Sequence, residues 1–208
     1  MYLNQLFTDN SNAQSLINHL IDSCKTHTNY NKTLLDFHCS KFGDLTINEL
    51  IEKYKVKKII HENYNLEPLT VIATVHEPYY CSPINSFDII LKEKSNIKRI
   101  IDTSIKKDPE YFFKGFNENR TDKPTYYMFN DIYNRKFAAI LQGHHRTIIG
   151  SFLQMYDAKY FMKDVRIIEY YIDWRKVQTR QSLYNKIMKS NPVFDYKIFC
   201  KLLGKVSA

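Results

Sequence analysis

Residues 140–152 read ILQGHHRTIIGSF, and the fold turns on how this stretch is divided. Before it, Phe137-Ala138-Ala139-Ile140-Leu141 is a short apolar run that suits a buried strand. Beyond Gly143, the residues from His144 to about Lys159 suit a helix. Gly143 lets the backbone turn tightly and admits a close approach. A helix starting there presents unpaired N–H groups and the positive end of its dipole. Arg146 adds a guanidinium fork shaped for phosphate. His144 and His145 can donate hydrogen bonds, move protons or bind a metal. The corner thus reads as an anion site lined by Gly143, His144, His145, Arg146 and Thr147. The competing reading makes the histidines a helix cap or a surface filling.

Working outward, Leu16, Ile17, Leu20, Ile21 and Cys24 form the stripe of an amphipathic helix within 12–25. Thr46-Ile47-Asn48-Glu49 has capping-box spacing, and Leu50, Ile51, Tyr54 and Ile59 continue that helix inward. After Pro68, Leu69 to Val75 is β-rich, and Phe87 to Leu91 is expected to be another strand. Ser95 to Lys106 reads as a helix with Ile97, Ile100, Ile101 and Ile105 inward, ended by Asp108-Pro109. Residues 114–124 form a polar loop. Tyr126–Phe129 and Arg135–Gln142 are two strands joined across a turn, and Val165–Ile172 is the last strand. Two helices follow, broken at Asn191-Pro192.

The pattern predicts an α+β fold, a small mixed sheet with packed helices and further helices at both ends. The expected divisions are a helical extension over 1–68, the central domain over 69–173 and basic helices over 174–208 packed on that domain.

The 208 residues carry a net charge of +8, and the pI is about 9.1. That balance favours a polyanionic partner, nucleic acid or a phosphate-bearing ligand. Cys24, Cys39, Cys81 and Cys200 lack zinc-site or disulfide-framework spacing and read as reduced thiols. The N-terminal MYLNQLFTDN has no basic-then-apolar leader pattern, and no apolar run approaches the ~20 residues that span a bilayer. The expectation is a cytoplasmic protein without a membrane partner, or one delivered to another cell if it is a toxin. No protein partner is named by these features.

The strand, Gly-x-x-Arg, helix sequence resembles the signature of the ParB/sulfiredoxin superfamily. ParB-type members carry Gly-Glu-Arg-Arg or Gly-x-His-Arg there, and sulfiredoxins carry Gly-Cys-His-Arg. The run from Ile97 to Pro109 is similar to the sulfiredoxin helix that leads into Asp-Thr-Ile and then Asp-Pro. The resemblance covers roughly residues 69 to 173. It implies that the corner holds nucleotide phosphates, with Gly143, His145 and Arg146 as matching positions. It also implies that the earlier helix presents polar groups to the same nucleotide. There Asn96, Arg99 and Thr103 share one face, so Arg99 and Thr103 are candidate nucleotide ligands; the competing reading is a solvated face. His144 stands where sulfiredoxins have their nucleophilic cysteine, so sulfinic-acid reduction is expected to be absent. The stretch after Ile172 is too short for a helix-turn-helix domain and a dimerisation domain, which leaves a free-standing ParB-like protein as the expectation.

For catalysis the candidates are Glu77, His144, His145 and Arg146. Glu77, at the end of the 69–75 strand, could act as general base or hold Mg²⁺ or Mn²⁺; the bland reading is a loop carboxylate in water. Asp102 and Asp131 are weaker candidates, and Asp131 suits a turn. Tyr79-Tyr80, Tyr111-Phe112-Phe113, Tyr126-Tyr127 and Tyr170-Tyr171 could offer stacking platforms, although most such rings belong to a core. Arg175, Lys176, Arg180, Lys186 and Lys189 form the expected DNA footprint. Two functions compete. One is a phosphate-binding enzyme, a nuclease or NTP hydrolase acting on DNA or on ATP or CTP, with an interference or toxin role. The other is a non-catalytic nucleotide- or DNA-binding regulatory module.

Overall fold

The computed structural model of the chain describes residues 2–10, 12–42, 44–80, 86–107, 123–131 and 133–190. The first two helices, α1 (Tyr2–Asp9) and α2 (Ala13–Cys24), turn their apolar stripe inward; Leu16, Ile17, Leu20 and Cys24 are all buried. Two acceptors start α2. The Asn12 side chain accepts from the Ser15 N–H, and Asp102 Oδ1 accepts from the Ala13 N–H at 2.8 Å. Asp102 is therefore a helix cap. Short strands β1 (Leu35–Asp36), β2 (Lys41–Phe42) and β3 (Leu45–Thr46) lead to α3 (Ile47–Tyr54). The predicted capping box is formed, with Thr46 Oγ1 accepting from the Glu49 N–H and Glu49 from the Thr46 N–H.

Here the chain departs from expectation. The helix does not run on to Ile59; it stops at Tyr54, and β4 (Lys55–Leu66) follows as a 12-residue strand. A one-turn 3-10 helix (Pro68–Thr70), β5 (Val71–Thr74) and a second 3-10 turn (Glu77–Tyr79) come next. The run from Phe87 is not a strand but α4 (Phe87–Glu93), with Phe87, Ile90 and Leu91 buried on one side. That i, i+3, i+4 spacing fits a helix as well as a short strand. The remaining elements are α5 (Ser95–Lys107), β6 (Thr125–Asn130), β7 (Lys136–Gln142), α6 (His144–Tyr156), β8 (Met162–Ile172) and α7 (Trp174–Ser190). Asp131 makes the β6–β7 turn, accepting from the Tyr133 and Arg135 N–H groups. Asp108-Pro109, most of the 114–124 loop, the Tyr111–Phe113 ring run, Asn191-Pro192 and the helix expected after it, Cys81 and Cys200 lie outside the described residues.

Six strands form one mixed sheet in the order β1-β5-β7-β6-β8-β4. The pairs β1/β5, β5/β7 and β6/β8 are parallel; β6/β7 and β8/β4 are antiparallel. The class is α+β, a small mixed sheet with packed helices. Strand alternation separates two cores. On one face Tyr126, Met128, Ile140, Val165 and Ile167 pack with α2, α4, α5 and α6 through Leu16, Ile90, Ile97, Ile148 and Phe152. On the other, Phe37, Ile47 and Ile51 lie with Ala73, Phe129 and Ala139. Residues from both sides of position 68 fill the same cores, and β1 and β4 supply both sheet edges. Near one end, buried Glu169 on β8 holds His61 Nε2 of β4 at 2.9 Å, the Tyr171 hydroxyl at 3.2 Å and Lys136 Nζ of β7 at 3.6 Å.

Candidate functional site

The corner is built from the end of β7 and the start of α6. Gly143 has φ +100° and ψ 29°, in the left-handed region. A Cβ there would lie 2.9 Å from Pro124 Cβ and 3.2 Å from Pro124 Cα. Only glycine meets both demands without strain. Gly143, the N-cap residue, has no side chain with which to cap α6. Its first backbone bond runs from the Thr147 N–H to the Gly143 carbonyl at 3.0 Å. The N–H groups of the turn before it therefore lack intrahelical acceptors.

The two histidines part company. His144 is buried, and its Nε2 lies 2.5 Å from Thr74 Oγ1 at the end of β5. Its ring stacks on Tyr79, with centroids 4.5 Å apart and planes 11° from parallel. Burial first, then the neighbouring His76 and His145, push its pKa down to about 4. A neutral, stacked and bonded imidazole packs the corner from inside, and its nitrogen Nε2 is engaged with Thr74. Thr147 is likewise fully buried. Its hydroxyl donates to the Gly143 carbonyl at 2.9 Å and meets the Tyr126 hydroxyl at 2.7 Å. It braces the corner from inside and does not line it.

His145 is half-buried, and its Nε2 meets the Tyr79 hydroxyl at 2.8 Å. Burial, then the positive charges of Lys94 and Arg99, hold this imidazole below the ordinary histidine range. Lys94 Nζ also stands 6.0 Å from the Tyr79 ring centroid. Lys94 joins α4 to α5, so the α4–α5 junction faces the start of α6. Arg146 is half-buried beside this cluster, and its charge reaches the Tyr126 phenol. Of the residues expected from the sequence, Gly143, His145, Arg146 and Arg99 lie at or act on this corner. Sequence reasoning passed over Lys94, Thr74 and the tie from Tyr79 to His145. Reading 87–91 as a helix would have put Lys94 at a helix junction, the one available signal.

The other candidates lie on other elements. Arg99 and Thr103 are both exposed on α5, as a solvated face requires, yet only Arg99 influences His145. Glu77 is exposed on its 3-10 turn and makes no hydrogen bond or ion pair with His144 or His145. Among the described residues no three His, Cys, Asp or Glu side chains group as metal ligands. In the basic footprint, Arg175 and Lys176 are exposed at the start of α7, with Lys176 Nζ 3.7 Å from Asp173. Arg180 is buried instead, its guanidinium 3.2 Å from Asp44. It ties α7 to the segment before β3 and is not a free phosphate donor. Lys186 and Lys189 lie on α7, with side chains outside the described set. Among the described residues no helix is long and apolar enough to cross a membrane. The chain matches no family model, no curated protein and no solved structure.

Proposed function

We propose that the corner at Gly143–Arg146 binds the phosphates of a nucleotide, ATP or CTP, in the manner of a ParB/sulfiredoxin-like domain. The observation that carries this reading is that Tyr79, whose ring centroid lies 6.0 Å from Lys94 Nζ, meets His145 through its hydroxyl at a helix start whose N-cap is Gly143, with Lys94 and Arg99 both lowering the imidazole's pKa. Both charges felt by that imidazole are positive. The helix dipole adds a partial positive charge at the same place, and Arg146 stands one residue further on. A phosphate would offset the charges of Lys94 and Arg99 and accept from the first-turn N–H groups. Arg146 and Arg99 suit bidentate contacts, while Lys94 acts as a point charge.

For hydrolysis, His145 is a proton-moving candidate. Its lowered pKa keeps it neutral near pH 7, able to accept a proton, and the Tyr79 hydroxyl holds its ring. Burial of His144, and the lack of any hydrogen bond or ion pair from Glu77 to either histidine, favour the second reading, a non-catalytic nucleotide-binding module. No step through a metal is assigned. Titration calorimetry with ATP, CTP and GTP tests binding. Saturable binding that falls about tenfold in Arg146→Ala and in Lys94→Ala is expected, the usual scale for a charge-assisted contact. Absence of binding, or binding indifferent to both substitutions, makes the corner purely structural. Phosphate release that depends on His145 would return the hydrolase reading to first place.

A further inference from the structure

The two faces of the sheet are covered unequally. On the face away from α6, Phe37, Ile47 and Ile51 bury Ala73 of β5, Ala139 of β7 and Phe129 of β6. Cover thins toward the opposite edge. On β8, Ile168 and Tyr170 are half-buried; on β4, Lys55, Lys58 and Ile60 are exposed, Ile60 at 46%. The ladder sets these side by side. Lys58 lies opposite Tyr170, Ile60 opposite Ile168, and Lys55 opposite Ile172. Tyr170 also meets Tyr127 of β6 at 5.6 Å between centroids, and Lys55 Nζ stands 5.9 Å from the Tyr170 centroid. The Asp173 N–H bonds the Tyr54 carbonyl, so α7 begins beside the start of β4 and brings Arg175 and Lys176 to the same end.

We propose that this open strip of sheet, over β8 and β4, binds single-stranded nucleic acid, with Tyr170 as the stacking ring and Lys55 and Lys58 on the phosphates. A flat sheet carrying aromatic rings between cations suits unpaired bases, whose π-faces are free to stack. A duplex buries those faces and would leave Tyr170 unused. The charge argues against a second copy as occupant: Lys55, Lys57 and Lys58 stand exposed at the start of β4, where two copies face to face would bring like charges together. An anionic chain has the complementary sign. The strip lies on the opposite face from the α6 corner, so the proposal does not rest on nucleotide binding there.

Fluorescence anisotropy with labelled oligo-dT, oligo-U and a mixed-sequence duplex tests it on the full chain. Both single strands should bind more tightly than the duplex, and affinity should fall as salt rises. Tyr170→Ala should weaken binding about tenfold while Tyr170→Phe keeps it, because stacking needs the ring and not the hydroxyl. Lys55→Glu with Lys58→Glu should weaken it further and flatten the salt dependence. Arg146→Ala should leave it unchanged. The proposal is overturned if single strands do not bind, if the duplex binds better, or if Tyr170→Ala, folded by circular dichroism, binds like the parent. Self-association that hides the strip would also overturn it in favour of a second copy.

Discussion

Gly143 is where the corner admits least change, because a left-handed backbone and the Pro124 contact act on the same atom. Gly143→Ala is expected to lower stability by about 2 kcal/mol or more, measured by urea unfolding; a variant as stable as the parent would mean that the turn relaxes freely. His144 makes a pH prediction. Its folded pKa is about 4 against the ordinary 6.5, so the unfolded chain takes up the proton first. The stability this residue contributes is complete above pH 6.5, declines as pH falls through 4, and is gone below. The span is worth about 3 kcal/mol. Unfolding curves between pH 8 and pH 4 should show it, and His144→Gln should remove that part of the slope. An unchanged slope would place a charged imidazole there. Arg180→Ala should cost about 3 kcal/mol, since it removes a buried guanidinium 3.2 Å from Asp44. Stability indistinguishable from the parent would make that pair a solvent-screened one.

At the scale of elements, β4 shows what a local reading misses. Lys55, Val56, Lys57 and Lys58 are all exposed, so the strand begins without the alternation that marks a half-buried strand. It exists because it pairs with β8, more than a hundred positions away, and that pairing outweighs local propensity. The capping box of α3, the β6–β7 turn and the β7–α6 corner were legible because their signals are contained within a few residues. The same distinction runs through the site. Gly143, His145 and Arg146 adjoin in sequence, whereas Lys94, Tyr79 and Thr74 reach the corner only through packing. Glu169 gives a test at this scale, since one buried carboxylate joins His61 of β4 to Lys136 of β7. Glu169→Ala should destabilise by about 3 kcal/mol, with amide exchange rising first along β4. Uniform exchange across the sheet would show that β4 does not depend on that contact.

Over the whole molecule, the sheet separates two positively charged regions. One face carries α6, with the Lys94–Arg99–His145 cluster at its start; the other carries the Tyr170 strip beside β4. The net charge of +8 is thus placed in part where fixed structure supports it. We propose that the α6 corner is a phosphate site and more than a tight turn. The most direct measurement is calorimetric titration of the full chain with ATP and CTP, alongside Lys94→Ala and Arg146→Ala. Saturable binding, weakened about tenfold by each substitution and by rising salt, is the predicted result. Binding of neither nucleotide, or equal binding in parent and both variants, would contradict it.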